Sequence, residues 1–372
     1  MRILYITDAL AVWGGIERVL RDKMNYLVEH YGYDVHVVTT DQGDHPIPYP
    51  LDKRIHVRDL NIRSHHQYQY RGLKRLKKFW ELNRLFVQRL SVFIDDINPN
   101  VIICIRIEFL NQILKAKGCI PLVCESHSLC YAYRYESSSF LNKLRLYISR
   151  RYIRKADCIV TLTEGDAKDW RHYNKNVMVI PNVVQLNDSG RYSSLDSKVV
   201  LFVGRFSDQK DLWSLLSIWK LVHQSHSDWE LHVYGEGEYE ARFIHESQVK
   251  DINIKVFQPT AHIFEKYLSS SMLIMSSIYE PFGLVLPEAM SCGLPVVAFN
   301  CPYGPADIIN DGQDGFLIEN RDVKAFADKV VLLIENQSLR IRLGHVAIQS
   351  SFRFQPEKIM PQWESLFKSL FS

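Results

Sequence analysis

With 372 residues, the chain is too long for one ordinary hydrophobic core, and two domains are expected. Hydrophobic residues at 47% and charged residues at 23% are the proportions of a soluble globular protein. A net charge of +3 excludes a protein that binds polyanions through its overall charge, and no run of 18 apolar residues offers a transmembrane helix. The seven cysteines are odd in number and form no C-x-x-C, which argues against a disulfide framework or a zinc knuckle. Several lie in apolar runs, as reduced buried thiols do, and that fits a cytoplasmic location. Residues 1–6 are interrupted too soon to form a signal peptide.

In chain order, residues 3–7 read as a buried strand, 12–15 as a turn and 16–30 as a helix. Strands follow at 34–39, 101–105, 122–125, 158–162 and 177–180, each a β-branched run near helix-length segments. This alternation marks βα units and a parallel sheet. Residues 183–198 are polar, rich in Ser and Asp and aperiodic, and read as a linker. The alternation then restarts, with strands at 199–203, 230–234, 254–257, 273–276, 295–299 and 315–318. Helices are expected around 211–225, 238–249, 261–269, 285–292, 305–310 and 322–336. The fold class is therefore α/β, with two Rossmann-like domains at 1–182 and 199–355 and a helical, amphipathic 356–372 that crosses back to the first domain.

Ligands in open α/β sheets bind outside the carboxyl ends of the strands. Gly204-Arg205-Phe206-Ser207-Asp208-Gln209-Lys210 follows the strand at 199–203 directly. A planar guanidinium and a mobile ammonium there suit a diphosphate, though solvated loop charges would look the same. Gly235 and Gly237 follow the next strand and permit close approach by a ligand or a neighbouring loop; a lone G-x-G is more often a tight turn. Glu280 and Glu288 flank Pro281-Phe282-Gly283-Leu284, with a helix expected to start near Leu284. Gly283 and Leu284 then offer backbone N–H groups to an anion. Taken singly, Glu280 is a favourable helix-end charge and Glu288 an exposed helix position. Together, two carboxylates would repel phosphate and suit vicinal hydroxyls, as in ribose or a hexose. In the first half, Gly14-Gly15-Ile16-Glu17-Arg18 opens a helix but lacks G-x-G-x-x-G, so a nicotinamide site has little support. His127 lies just beyond the strand at 122–125. No D-x-D and no clustered metal ligands occur in the sequence, which argues against a divalent-metal mechanism.

These blocks, G-G-I-E-R, V-G-R-F-S-D-Q-K at 203–210, G-E-G at 235–237, E-P-F-G-L-V-L-P-E-A-M-S-C-G-L-P-V-V-A at 280–298 and G-P-A-D-I-I-N-D-G-Q-D-G at 304–315, resemble family 4 of the retaining glycosyltransferases. The resemblance covers nearly the whole chain in order. It implies the GT-B fold, two Rossmann-like domains facing across a cleft. It also implies transfer of a hexose or N-acetylhexosamine from a nucleotide sugar, UDP-linked, to a glycan or lipid-linked acceptor, with no metal and no other cofactor. Bacterial surface polysaccharide or lipopolysaccharide synthesis is the implied setting. By the same resemblance, Arg205 and Lys210 hold the donor diphosphate and Gly283 and Leu284 add backbone amides to it. Glu288 meets the ribose, Glu280 meets the donor sugar, and Gly14 and Gly15 lie beneath the phosphates. His127 lies near the donor sugar and the acceptor. Attack occurs on the same face as departure, and catalysis is electrostatic and positional.

The sequence departs from the family pattern at Phe257-Gln258-Pro259-Thr260, at Asp307 and at Asp211, which bears on the nucleotide base. Two basic segments, 71–90 and 143–155, are either membrane-contact surfaces at the inner face of the cytoplasmic membrane or solvated helix faces. Nucleic acid is not an expected partner, because no recognition motif accompanies the charge. Two other readings share the fold: a nucleotide-sugar epimerase or hydrolase, and a binding protein without catalysis.

Overall fold

The computed structural model describes residues 1–127, 130 and 151–371. The chain divides into two compact units, Met1–Val183 with Ile359–Ser372, and Val184–Lys358.

The first unit is a seven-stranded, wholly parallel sheet in the order β3-β2-β1-β4-β5-β6-β7. Its strands are β1 (Arg2–Thr7), β2 (Asp34–Thr39), β3 (His56–Asp59), β4 (Val101–Cys104), β5 (Leu122–Glu125), β6 (Cys158–Thr161) and β7 (Val177–Val179). The central strands are buried on both faces, which is why they read as continuous Val/Ile/Leu runs. One face is covered by α1 (Gly15–Tyr31) through Leu20, Met24 and Leu27, together with the C-terminal helix Pro356–Ser369 through Ile359, Met360, Trp363 and Phe367. The other is covered by α2 (Gly72–Ile97) through Leu82, Phe86, Leu90 and Ile94. The sequence pattern gave no sign of β3. It is an exposed edge strand, His-Val-Arg-Asp, with no apolar alternation to mark it.

The second unit is a six-stranded parallel sheet in the order β10-β9-β8-β11-β12-β13. Its strands are β8 (Val199–Val203), β9 (Glu230–Tyr234), β10 (Ile254–Phe257), β11 (Met272–Met275), β12 (Val296–Asn300) and β13 (Gly315–Glu319). This is the Rossmann strand order. Residues 184–198 have no regular secondary structure and pack within this unit, with Val184 and Leu195 buried. The helix Gln337–Ser351 was not anticipated, because its apolar residues do not gather on one face and it buries Arg340 and Gly344 beside Leu343 and Ala347.

In both sheets the chain reverses direction of winding beside the first strand, between β1 and β4 and between β8 and β11. Such switch points open a crevice at the carboxyl ends of the strands, and the candidate residues lie in the loops that follow these strands.

Candidate active site

In the second unit, the loops after β8 and β11 meet. Lys210 Nζ lies 2.5 Å from Glu280 Oε2, and both side chains are largely buried. Ser277 Oγ donates to the same oxygen at 3.2 Å. The backbone of Glu280 is fixed by the loop after β12: its N–H donates to the Pro302 carbonyl at 2.7 Å, and its carbonyl accepts from Tyr303 and Gly304 N–H at 3.0 and 2.8 Å. Gly304 is required there, since a Cβ would lie 1.9 Å from the Phe282 carbonyl oxygen. The Lys210 loop is tied in turn by Ser276 Oγ to the Lys210 carbonyl (2.8 Å) and by Ile278 N–H to the Gln209 carbonyl (2.8 Å). The pair is thus preorganised by hydrogen bonds with six loop residues, not merely placed nearby.

Arg205 is exposed; its carbonyl accepts from Ser207 N–H at 3.0 Å, and its guanidinium pairs with no group among the described residues. Gly204 makes room for the Lys210 stem, whose Cδ and Cε would be 3.3 Å from a Cβ at that position. Gly235 and Gly237 have a packing role that accounts for them. A Cβ on Gly235 would meet the Gly204 carbonyl oxygen at 2.0 Å, and one on Gly237 would meet the Phe206 carbonyl oxygen at 2.5 Å. They let the loop after β9 lie on the loop that carries Arg205.

The short helix Val285–Ser291 starts at Leu284, which has no side-chain cap. Gly283 has φ +95°, a value glycine tolerates, and neither Gly283 nor Leu284 N–H donates to a carbonyl among the described residues. Pro281 is half-buried, and the Phe282 ring is turned into the core, edge-on to Phe354 with centroids 5.4 Å apart. Glu288 is buried at 2% exposure, with Tyr267 OH donating to its Oε2 at 3.0 Å; it is not an exposed helix position, because this helix is buried all round. Asp211 takes a left-handed conformation (φ +45°) and caps the helix Leu212–Ser225 through Ser214 N–H, so an acid here serves the turn.

In the first unit the corresponding crevice holds a charged cluster that the motifs did not reveal. Asp8 follows β1 and Arg106 follows β4; the guanidinium is bidentate on the carboxylate, at 2.9 and 2.5 Å. Burial opposes ionisation of Asp8, but the Arg106 fork prevails and holds its carboxyl below the usual range. Gly14 caps α1 without a side chain, and a Cβ there would lie 2.3 Å from Glu17 Oε2, so the glycine lets that carboxylate fold back over the helix start. Burial pushes the Glu17 carboxyl up. Gly15 is the first residue of α1. Trp13, 74% exposed, stands edge-on to Tyr49 with centroids 4.9 Å apart, and the Arg21 guanidinium lies 5.7 Å from the Tyr49 centroid. His127 is nearly buried beyond β5, its Nε2 3.0 Å from Glu125 Oε1. The signal for Asp8 and Arg106 was positional: each is a charged residue within two positions of a strand's carboxyl end.

At the far edge of this sheet, the β2–β3 register sets His36 opposite His56, and both approach Asp34, at 2.9 and 4.0 Å. Sequence spacing did not show this cluster. It is the only group of three His, Cys, Asp or Glu residues among those described that could close on a cation, and Asp34 and His56 start their strands, away from the carboxyl ends.

Of the two basic segments, 143–150 lies outside the described residues. In the other, the first turns of α2 stand clear of the fold. Leu73 (84% exposed), Leu76, Phe79 and Trp80 (64%) carry on the apolar face that Leu82 and Phe86 bury further along, flanked by Arg75 and Lys77. No helix among the described residues is long and apolar enough to cross a membrane.

Two family profiles match the sequence and together span most of it: "Glycosyltransferase Family 4" over residues 13–188 and "Glycosyl transferases group 1" over residues 188–350. The amylovoran biosynthesis glycosyltransferase AmsD of Erwinia amylovora is 27% identical, over 98% of this chain and 99% of its own. A poly(ribitol-phosphate) alpha-N-acetylglucosaminyltransferase of Staphylococcus aureus is 30% identical over 59% of this chain and 46% of its own. Among solved structures, S. aureus TarM with Fondaparinux, alpha-GlcNAc-glycerol and UDP superposes with a TM-score of 0.80, at 16% identity over 98% of this chain and 99% of that one. Anabaena HepE with UDP-glucose gives 0.73 at 19% identity, over 99% and 100%. These likenesses establish the GT-B fold.

Proposed function

We propose that this chain, which belongs to the family 4 glycosyltransferases, moves a hexosyl or N-acetylhexosaminyl group from a UDP-sugar to a glycan or lipid-linked acceptor, with retention of configuration and without a metal. The observation that carries the reading is the Lys210–Glu280 pair at the switch point of the second sheet. A cation and an anion held there in one network suit a glycosyl diphosphate, whose sugar hydroxyls want an acceptor and whose phosphates want a positive charge. Lys210 and the unpaired Arg205 neutralise the departing diphosphate, and the Gly283 and Leu284 amides add donors to it. Glu280 takes hydrogen bonds from the sugar. Glu288, with one oxygen fixed by Tyr267, serves the ribose. Charge develops on the leaving phosphate as the glycosidic bond breaks, and the acceptor proton passes to that phosphate. The protein supplies position and field, not a nucleophile.

The acceptor side is assigned to the first unit, with the Trp13–Tyr49 ring pair offering an apolar face to a sugar beside the Gly14–Gly15 turn. The names of the relatives support a setting in bacterial polysaccharide assembly. The overhanging start of α2 supports contact with an anionic membrane surface, where apolar side chains enter and flanking cations meet headgroups. The reading is tested by thermal shift against UDP-, GDP- and ADP-sugars in EDTA. Stabilisation by a UDP-sugar is expected. Stabilisation by none refutes the donor, and stabilisation only after metal is added refutes the metal-free mechanism.

A further inference from the structure

Lys23 and Glu125 form a closed ion pair inside the first unit. Lys23 comes from the buried face of α1 and Glu125 is the last residue of β5. The ammonium lies 2.6 Å from Oε1 and 2.5 Å from Oε2, and each residue is 1% exposed. Trp363, from the C-terminal helix, lays its ring 3.6 Å from Nζ, and the Tyr5 ring stands 5.8 Å away. Tyr5 and Trp363 belong to the hydrophobic core that also holds Ile3, Leu27, Val160, Ile180 and Met360.

Stability does not explain such a pair. The desolvation penalty of two buried ions can exceed their attraction, and packed apolar residues of the same volume do as well or better. Burial alone would raise the Glu125 carboxyl; Lys23 and His127 reverse that and bring it down to about 2, so the group is a fixed anion. Lys23 occupies both of its oxygens from one side, and His127 Nε2 approaches Oε1 from the other at 3.0 Å. That approach is at ion-pair distance and not yet aligned as a full hydrogen bond; contacts of this kind tighten when substrate arrives. Among the described residues, the Glu17 carboxylate also lies near enough to interact with this ring, and Asp8 and Arg106 lie near Glu17.

We propose that Lys23 and Glu125 are positioning residues for His127. The lysine fixes the carboxylate, and the carboxylate accepts a hydrogen bond from Nε2–H as that contact aligns. The ring is thereby held in one tautomer, with Nδ1 left as the nitrogen that meets a sugar hydroxyl. Trp363 keeps water from the ammonium, so the C-terminal helix completes the arrangement. The inference rests on the reading of His127 as a sugar-contacting residue in glycosyl transfer.

The test is the double variant Lys23→Met/Glu125→Leu, which removes both charges and leaves no lone buried ion. It is expected to fold with a melting temperature equal to or above that of the parent. The 15N signals of His127, identified by difference from a His127→Asn variant, are expected to change from an Nε2-protonated pattern to a mixture of tautomers. Turnover of UDP-glucose, read as UDP release, is expected to fall about 100-fold in kcat with little change in KM. Lys23→Met/Glu125→Gln, which restores an acceptor for Nε2–H, is expected to recover part of both. An unchanged His127 pattern in the folded Lys23→Met/Glu125→Leu protein overturns the proposal, and so does turnover equal to the parent's. Full activity in His127→Ala would instead refute the role of His127 in transfer, while the tautomer result would stand by itself.

Discussion

Lys210 Nζ and Glu280 Oε2 lie 2.5 Å apart although seventy residues separate them in sequence. The parallel pairing of β8 with β11 brings their trailing loops together, and the loop after β12 then fixes the Glu280 backbone. The first unit repeats the device with Asp8 and Arg106, from the loops after β1 and β4. Each switch point is thus bridged by an ion pair whose partners come from the two strands that flank it.

Lys210→Ala and Glu280→Ala are each expected to lower kcat/KM for sugar transfer by at least about 100-fold, the scale on which a single preorganised donor acts on a developing anion. Melting temperatures should fall as well, since removing either partner leaves the other charge largely buried and unpaired, while the loop backbone hydrogen bonds keep the fold intact. Near-normal product formation by either variant, measured as UDP release with acceptor present, would remove that residue from the mechanism.

Gly235→Ala tests whether the glycine serves loop packing. Its Cβ would fall 2.0 Å from the Gly204 carbonyl oxygen, so backbone must move. A loss of about 1–3 kcal/mol in urea unfolding is expected. Weaker nucleotide-sugar binding should accompany it, because the displaced loop carries Arg205 and Lys210. A variant as stable as the parent would contradict this account.

Burial pushes the Asp166 carboxyl up to about 7, against the pull of hydrogen bonds from Cys130 N–H and Trp170 Nε1–H. The folded state therefore binds a proton that the unfolded state has released above pH 4. Its contribution to stability is present below the ordinary carboxyl range and is lost as pH rises from about 4 to 7. Asp166→Asn should lack this slope. The stability of the parent relative to the variant is expected to decline across that interval by an amount on the order of 4 kcal/mol, read by urea unfolding at pH 4, 5.5 and 8. A difference that does not change with pH would show that the carboxyl is not raised.

Trp13→Ala should raise the KM for a glycan acceptor about tenfold and leave nucleotide-sugar binding unchanged, because the ring is 74% exposed and stands edge-on to Tyr49. Trp13→Phe should keep most of the affinity. Equal acceptor KM values in all three proteins would show that the ring pair is not an acceptor surface.

Leu73→Ser/Trp80→Ser should weaken sedimentation with vesicles of anionic phospholipid without changing the melting temperature, since neither side chain is covered by the fold. Failure of the parent protein to sediment with such vesicles at low salt would dispose of the membrane surface.

The sheets were legible because strands buried on both faces must be apolar throughout, and βα alternation then leaves few topologies. The candidate residues were legible as types at strand ends: Arg205 and Lys210 after β8, Glu280 after β11, His127 after β5. The sequence by itself determined the fold class and which loops carry polar groups, since these depend on periodicity and local order, and its ordered motif blocks carried the family resemblance. It could not determine that Glu280 spends its charge on Lys210, or that Phe282 turns its ring into the core. Nor could it show that Gly235 yields space to Gly204, or that Lys23 meets Glu125 across 102 residues and His36 meets His56 across an edge. Those are decided by strand register and crossover packing, which bring together side chains whose separation along the chain carries no record of their contact.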